Sequence, residues 1–220
     1  MSTEQSTFFD AVDNVQVDRL RELLENGADP NLRGTDGSTA LIHAARWGDT
    51  DIVDLLLANG ADPNARTEDG WTALIEAVYE GYTEVVRLLL ANGADPNLYD
   101  ANKTTPLGNA AFKGRTEIAD LLLANGADPN LQGTDGRTAL ILATHMKRTK
   151  TIDPLINNGA DLDIQDKEGK TALNWAMLDG YDAIVYMLLH AHAEHFNRYS
   201  DVPRAVVGDK VVDAMMTKQE

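Results

Sequence analysis

Apolar residues along this chain fall in short clusters at a fixed spacing, with polar turns between them. The clearest cluster, Leu-Leu-Leu-Ala-Asn-Gly-Ala-Asp-Pro-Asn, stands at 55–64, 88–97 and 121–130, and more loosely from Leu23 to Asn31 and from Leu155 to Ile164. Its central glycines, Gly27, Gly60, Gly93, Gly126 and Gly159, are each thirty-three residues apart. A constant period of that length is the mark of a stacked repeat array. Each cluster reads as the end of a helix followed by a turn. The three leucines anchor the helix against its neighbours, each contributing roughly 1.5–3 kcal/mol when fully buried. The glycine supplies a left-handed residue at the helix end. Asp-Pro then bends the chain, because proline fixes its own φ and pushes the residue before it out of the α region.

The regular copies span 34–66, 67–99 and 100–132. Each opens with a polar turn, Thr35-Asp36-Gly37, Glu68-Asp69-Gly70 or Ala101-Asn102-Lys103, followed by a threonine in N-cap position, Thr39, Thr72 or Thr105. Pro106 sits just inside its helix, where a missing N–H is harmless. A short first helix rich in small residues breaks at Gly48, Gly81 or Gly114 and leads to a second, Asp51 to Ala58 and its equivalents. The expected class is therefore all-α. Residues 1–33 are shorter and more polar, with stripes at Phe8, Ala11 and Val12 and at Leu20, Leu23 and Leu24, and suit an N-terminal cap. The copy at 133–165 departs most. Lys147 replaces the inter-helix glycine, and Pro154 falls inside the second helix, which predicts a kinked or late-starting helix there. A copy at 166–198 follows, and 199–220 is expected to form a C-terminal capping helical segment.

Composition narrows the picture. Only 6% of residues are aromatic while 43% are hydrophobic, which suits thin helical layers. Without cysteine there are no disulfides and no thiolate chemistry, and the cytoplasm is the expected location. Met1-Ser2-Thr3-Glu4-Gln5 has no basic or apolar leader character, and no apolar run approaches the ~20 residues a membrane span needs. A net charge of −16 opposes nucleic acid and anionic lipid and favours basic partners, though a thin array also needs charge for solubility.

The residues in register resemble the ankyrin repeat. Those that carry the likeness are Asp36-Gly37-Ser38-Thr39-Ala40-Leu41, Ala44-Ala45, Gly48, Ile52-Val53, Leu55-Leu56-Leu57 and Gly60-Ala61-Asp62-Pro63-Asn64, and the likeness covers about 4–198. Ile42, Ile75, Gly108, Ile141 and Asn174 replace the histidine of the family's Thr-Pro-Leu-His opening. The resemblance implies a solenoid of stacked antiparallel helix pairs joined by hairpin-like loops. It also implies a protein-protein interaction role, through the loop tips and a concave groove beside the first helices.

Spacing divides each first helix. Leu41, Ala44 and Ala45 form one stripe, while His43, Arg46 and Trp47 lie roughly 200° around the helix. The family geometry places that second face in the groove. Its later members are Glu76, Tyr79 and Glu80; Asn109, Phe112 and Lys113; Leu142, His145 and Met146; and Trp175, Leu178 and Asp179. The residues before the threonines, Ser38, Trp71, Thr104, Arg137 and Lys170, point the same way. Trp47, Trp71 and Trp175, all the tryptophans of the chain, fall on this face with Tyr79 and Phe112 between them. Tryptophan, tyrosine and arginine are common interface anchors, and the competing role is packing between repeats. The expected partner-binding set is Arg46, Trp47, Trp71, Glu76, Tyr79, Glu80, Phe112, Lys113 and Trp175, with Glu68, Asp69, Glu76 and Glu80 favouring lysine or arginine on the partner.

His190, His192 and His195, with Glu194, form the sole candidate metal site, of a type suited to Zn²⁺ or Ni²⁺. Their spacing fits no known ligand pattern and crosses an expected helix end, so a metal or small-ligand site there is the alternative to docking. No Gly-rich phosphate loop or Ser-centred elbow appears, and the Asp-Gly turns lack the alternating ligands of a Ca²⁺ loop. A non-enzymatic, cofactor-free monomer is expected.

Overall fold

A computed structural model describes residues 3–198, so the expected C-terminal segment at 199–220 lies outside the described residues. The described residues form twelve α-helices in six pairs. These are α1 (Thr3–Asp13) with α2 (Val17–Glu25), α3 (Ala40–Trp47) with α4 (Thr50–Ala58), and α5 (Ala73–Glu80) with α6 (Thr83–Ala91). They continue as α7 (Pro106–Lys113) with α8 (Thr116–Ala124), α9 (Ala139–His145) with α10 (Thr149–Asn157), and α11 (Ala172–Leu178) with α12 (Asp182–Arg198). Each first helix packs on the first helices either side, and the second helices α4, α6, α8, α10 and α12 do the same in their own row.

Local chemistry sets the boundaries. Thr39, Thr72, Thr105, Thr138 and Thr171 each accept a hydrogen bond from the backbone N–H three residues on. Each thus satisfies one of the donors a helix start leaves open. The second helices close on Asn59, Asn92, Asn125 and Asn158, whose amides donate to the carbonyl four residues back. The glycines that follow have φ between 85° and 87° from Gly60 to Gly159, the left-handed turn their spacing predicts. The loops close as tight turns, Gly34 N–H to Ser38, Thr67 to Trp71, Asp100 to Thr104, Gly133 to Arg137 and Asp166 to Lys170.

The core is a row of aliphatic layers. Leu56, Leu89, Leu122 and Leu155 are fully buried. Their flanking leucines are less enclosed, Leu55 and Leu57 at 7% and 9% and Leu88 and Leu90 partly buried. Successive side chains on a helix are about 100° apart, so three in a row cannot share one face. The middle leucine fills the layer, and its neighbours seal adjacent repeats.

A cross-repeat ladder runs along the turns, carried by the asparagine that ends each Asp-Pro-Asn. Asn31 donates to the Gly60 carbonyl (3.1 Å) and accepts from Asp62 N–H (2.7 Å). Asn64, Asn97 and Asn130 repeat both bonds to the next turn. Asp163 takes the next position and lacks an amide to donate, so the series stops there. Removing both bonds with Asn97→Ala is expected to cost about 1–3 kcal/mol, seen as a lower urea midpoint at unchanged slope. Asn97→Asp, which keeps only the acceptor, should lose about half as much. Equal midpoints for both variants and the parent would contradict the ladder.

The irregular fifth pair, α9 with α10, differs from expectation in where its second helix starts. α10 begins at Thr149, the same column as Thr50, Thr83 and Thr116, and runs through Pro154 to Asn157, so it does not start late. Leu155 and Ile152 remain fully buried and hold the helix in place, while exposed Lys150 leaves its freed carbonyl within reach of water. Lys147 takes the left-handed conformation of the glycine it replaces (φ 54°), and its ammonium lies 5.0 Å from the Tyr181 ring centre. At the far end α12 continues to Arg198 instead of turning at residue 192, because His192 stands in the glycine column.

Candidate functional site

The first-helix face divides into two zones. Near the start of α3 it is covered by α1 and by the preceding loop. His43 lies 3.0 Å from Asp13 and 3.6 Å from Asp36, with Phe9 edge-on to its ring. Ser38 Oγ donates to Asp36 at 2.5 Å. That bond, with the Ser38 N–H and His43, outweighs partial burial and holds the Asp36 carboxyl below its ordinary range. One turn further along, the columns of Arg46 and Trp47 emerge toward solvent.

The expected site residues separate along that division. Glu76 is buried (6% exposed) and accepts from Arg46 Nε and Nη2 at 3.0 and 2.7 Å. The bond keeps the Arg46 guanidinium protonated even more firmly than usual. Glu76 is therefore neutralised within the chain and is not displayed to a partner, contrary to the expectation for it. Trp71 and Tyr79 are half-buried and meet edge-on with centroids 5.7 Å apart. The Lys113 ammonium sits 3.7 Å from the Tyr79 ring centre, a cation–π contact that extends the strip into the next repeat. Phe112 is 39% exposed beside it, Glu80 is exposed, and Trp47 is 64% exposed.

Trp175 departs from the expected display. It is 9% exposed, and its indole N–H donates to Asp166 Oδ2 at 2.7 Å. The Arg137 guanidinium (4.8 Å), the Lys170 ammonium (4.2 Å) and the edge-on His145 ring (4.8 Å) enclose it. Burial disfavours the Asp166 carboxylate, but the Lys170 N–H, the Trp175 indole and the Glu168 N–H outweigh it and lower its pKa. Trp175 occupies the column of His43, Glu76, Asn109 and Leu142, near the helix start where loops stand over the side chain. Its role is packing within the chain.

Two contributors escaped the sequence reading. Arg115 donates to the carbonyls of Tyr79 and Glu80 (3.1 and 2.7 Å), and Arg148 donates to that of Phe112 (3.0 Å). Each ties the end of one first helix to the following repeat. The available signal was arginine one residue after Gly114 and after Lys147, thirty-three residues apart.

His190 and His192 do not converge. His190 and His192 lie within the continuous α12, and residues two apart on a helix point about 200° apart. His192 Nε2 is 3.8 Å from Asp163, and the His190 ring lies tilted against Tyr186. The His195 side chain lies outside the described residues, and among the described residues no three histidine, cysteine or acidic side chains gather as a metal site.

Between the loops at 100–105 and 131–137 a cleft of about 280 Å³ opens onto this face, walled by Tyr79, Phe112, Leu131 and Leu142 with Gly108 and Asn109 at its floor. No described helix is long and apolar enough to cross a membrane.

Repeated helix pairs, threonine caps and turn-to-turn bonding define an α-helical solenoid of the interaction-scaffold class. Residues 8–100 and 107–199 match the family described as ankyrin repeats (3 copies), and the chain belongs to it. Among solved structures it is similar to an ankyrin repeat domain from Acinetobacter baumannii AYE. The two share 29% identity and a TM-score of 0.81 over 84% of this chain and 97% of that one. No curated protein matches it in sequence. Ankyrin repeats are in general protein–protein interaction modules, typically without enzymatic activity.

Proposed function

We propose that this chain docks a protein partner along the outer zone of its first-helix face, centred on Trp47, Trp71, Tyr79, Phe112 and Lys113. The observation that carries this reading is the aromatic strip. Large rings are scarce in this chain, yet Trp71, Tyr79 and Phe112 line adjacent repeats with part of each ring accessible, and Trp47 stands out beside them. Rings presented at low conformational cost are strong interface anchors. The Arg46–Glu76 pair lies beneath as framework. Exposed Glu68, Asp69 and Glu80, within a chain of net charge −16, favour a partner with lysine or arginine at its rim.

The test is differential capture. Wild type and a Trp47→Ala/Phe112→Ala variant with an unchanged melting curve are each incubated with host extract, and bound proteins are quantified by mass spectrometry. A specific set held by wild type should fall at least tenfold with the variant, the loss of about 1.4 kcal/mol or more that two anchor residues carry. Equal retention of every bound protein places docking elsewhere.

A further inference from the structure

The cleft at Gly108 and Asn109 has two properties that together describe what it takes. The first is a missing side chain. The column of Gly108 is isoleucine in three other repeats, Ile42, Ile75 and Ile141, each at most 1% exposed. At Gly108 the side-chain direction runs between Thr104 and Leu142. A Cβ built there would lie 3.4 Å from Thr105 Oγ1, 3.5 Å from Thr104 Cγ2 and 3.6 Å from Leu142 Cδ1, all ordinary contact distances. Gly108 has no left-handed φ that would demand glycine, so the vacancy is not required by the backbone. The hollow is lined on its apolar side by Phe112, Leu131 and Leu142.

The second property is an unanswered donor. Asn109 lines the same cleft and is 93% buried, yet its Nδ2 has no hydrogen-bond partner among the described residues. A buried amide N–H left unpaired is unfavourable, and an incoming acceptor relieves it. The donor is uncharged. The nearby Arg137 is already engaged, lying 3.6 Å from Asp135, 3.7 Å from Asp166 and over the Trp175 ring. The buried chemistry thus asks for a neutral carbonyl oxygen beside an aliphatic group, and the cleft opens where the docking strip passes.

We infer that this cleft is a specificity pocket for a branched aliphatic side chain of an extended partner segment, whose neighbouring backbone carbonyl accepts from Asn109 Nδ2. The inference rests on the docking reading above and names the residue type that reading leaves open. The partner side chain takes the volume that Ile42, Ile75 and Ile141 fill for themselves elsewhere.

The experiment titrates the full ¹⁵N-labelled chain with N-acetyl-isoleucine methylamide, followed by NMR, with N-acetyl-glycine methylamide as the carbonyl-only control. Saturable shifts are expected at the Gly108 N–H and the Asn109 side-chain amide, with the glycine compound at least roughly tenfold weaker because it leaves the hollow unfilled. Gly108→Ala should weaken the isoleucine compound, and Gly108→Ile should abolish its binding while the chain melts no lower than the parent. Asn109→Ala should weaken it about tenfold through loss of the donor. Absence of saturable shifts, equal response to the two compounds, or undiminished binding to Gly108→Ile each overturns the pocket. A pocket that titrates as expected while the Trp47→Ala/Phe112→Ala variant keeps every bound protein means that the pocket stands and the docking strip falls. The reverse pattern removes the pocket and leaves the strip.

Discussion

Trp175→Ala is expected to destabilise the chain by about 3–5 kcal/mol, the range for deleting a buried tryptophan. Three interactions are lost together: the indole bond to Asp166, the cation–π contacts from Arg137 and Lys170, and the ring's own packing at 9% exposure. Asp166 would then be left buried with one donor fewer. Because a repeat array is stabilised through neighbouring units, the damage should appear first as early unfolding of the last pairs, before the middle of the chain melts. Trp175→Phe keeps a ring under the cations but removes the N–H and part of the indole's buried volume, so it should lose about 1–3 kcal/mol. Trp47→Ala, at a side chain 64% exposed, should stay within about 0.5 kcal/mol of the parent. Urea unfolding followed by circular dichroism separates the three. If Trp175→Ala were as harmless as Trp47→Ala, the internal role assigned to Trp175 would be wrong.

The second large effect is at Arg46. Arg46→Met leaves the Glu76 carboxylate buried at 6% exposure without its two guanidinium bonds. Stranding a buried charge typically costs about 3–5 kcal/mol. The Arg46 side chain is itself 37% exposed, so water reaches part of the pair and a smaller loss, about 2–3 kcal/mol, is expected. The double change Arg46→Met/Glu76→Met removes the charge along with its partner and should recover most of that loss. A double-mutant cycle with additive single effects would contradict the pairing. This pair also alters how the charge of the face is read. Of the acidic residues expected to greet a basic partner, Glu76 is already answered from within, whereas Glu68, Asp69 and Glu80 remain at the surface.

The repeat architecture was legible because each unit solves the same local problem with the same residues. Thr39 and its four successors cap helices through a bond that spans only three residues. Gly60 and its counterparts turn left-handed for a reason internal to the turn. Properties set by neighbouring repeats were less visible. Helical periodicity places His43, Glu76, Asn109, Leu142 and Trp175 on the same side as Arg46 and Trp47, but it cannot register the loops that stand over the first turn. Trp175 is covered by Asp166 and Lys170 of its loop and Glu76 by Arg46 of the neighbouring helix, while Trp47 is not covered. The asparagine ladder was written in the sequence as Asn31, Asn64, Asn97 and Asn130, yet its bonds join residues about thirty apart and only the stack brings them together. Pro154 predicted a kinked or late-starting helix on local rules, but α10 starts in register at Thr149, with Ile152 and Leu155 buried. The cleft at Gly108 is legible only once Ile42, Ile75 and Ile141 are seen to fill the same place.

The most direct test of the docking face is oxidative footprinting of the aromatic side chains, with and without a captured host partner at saturating concentration. Trp47, Trp71 and Phe112 should become protected while Tyr186, 64% exposed on α12, reacts at its original rate. Protection of Tyr186 with Trp47, Trp71 and Phe112 unchanged would place the partner on another surface and contradict the account.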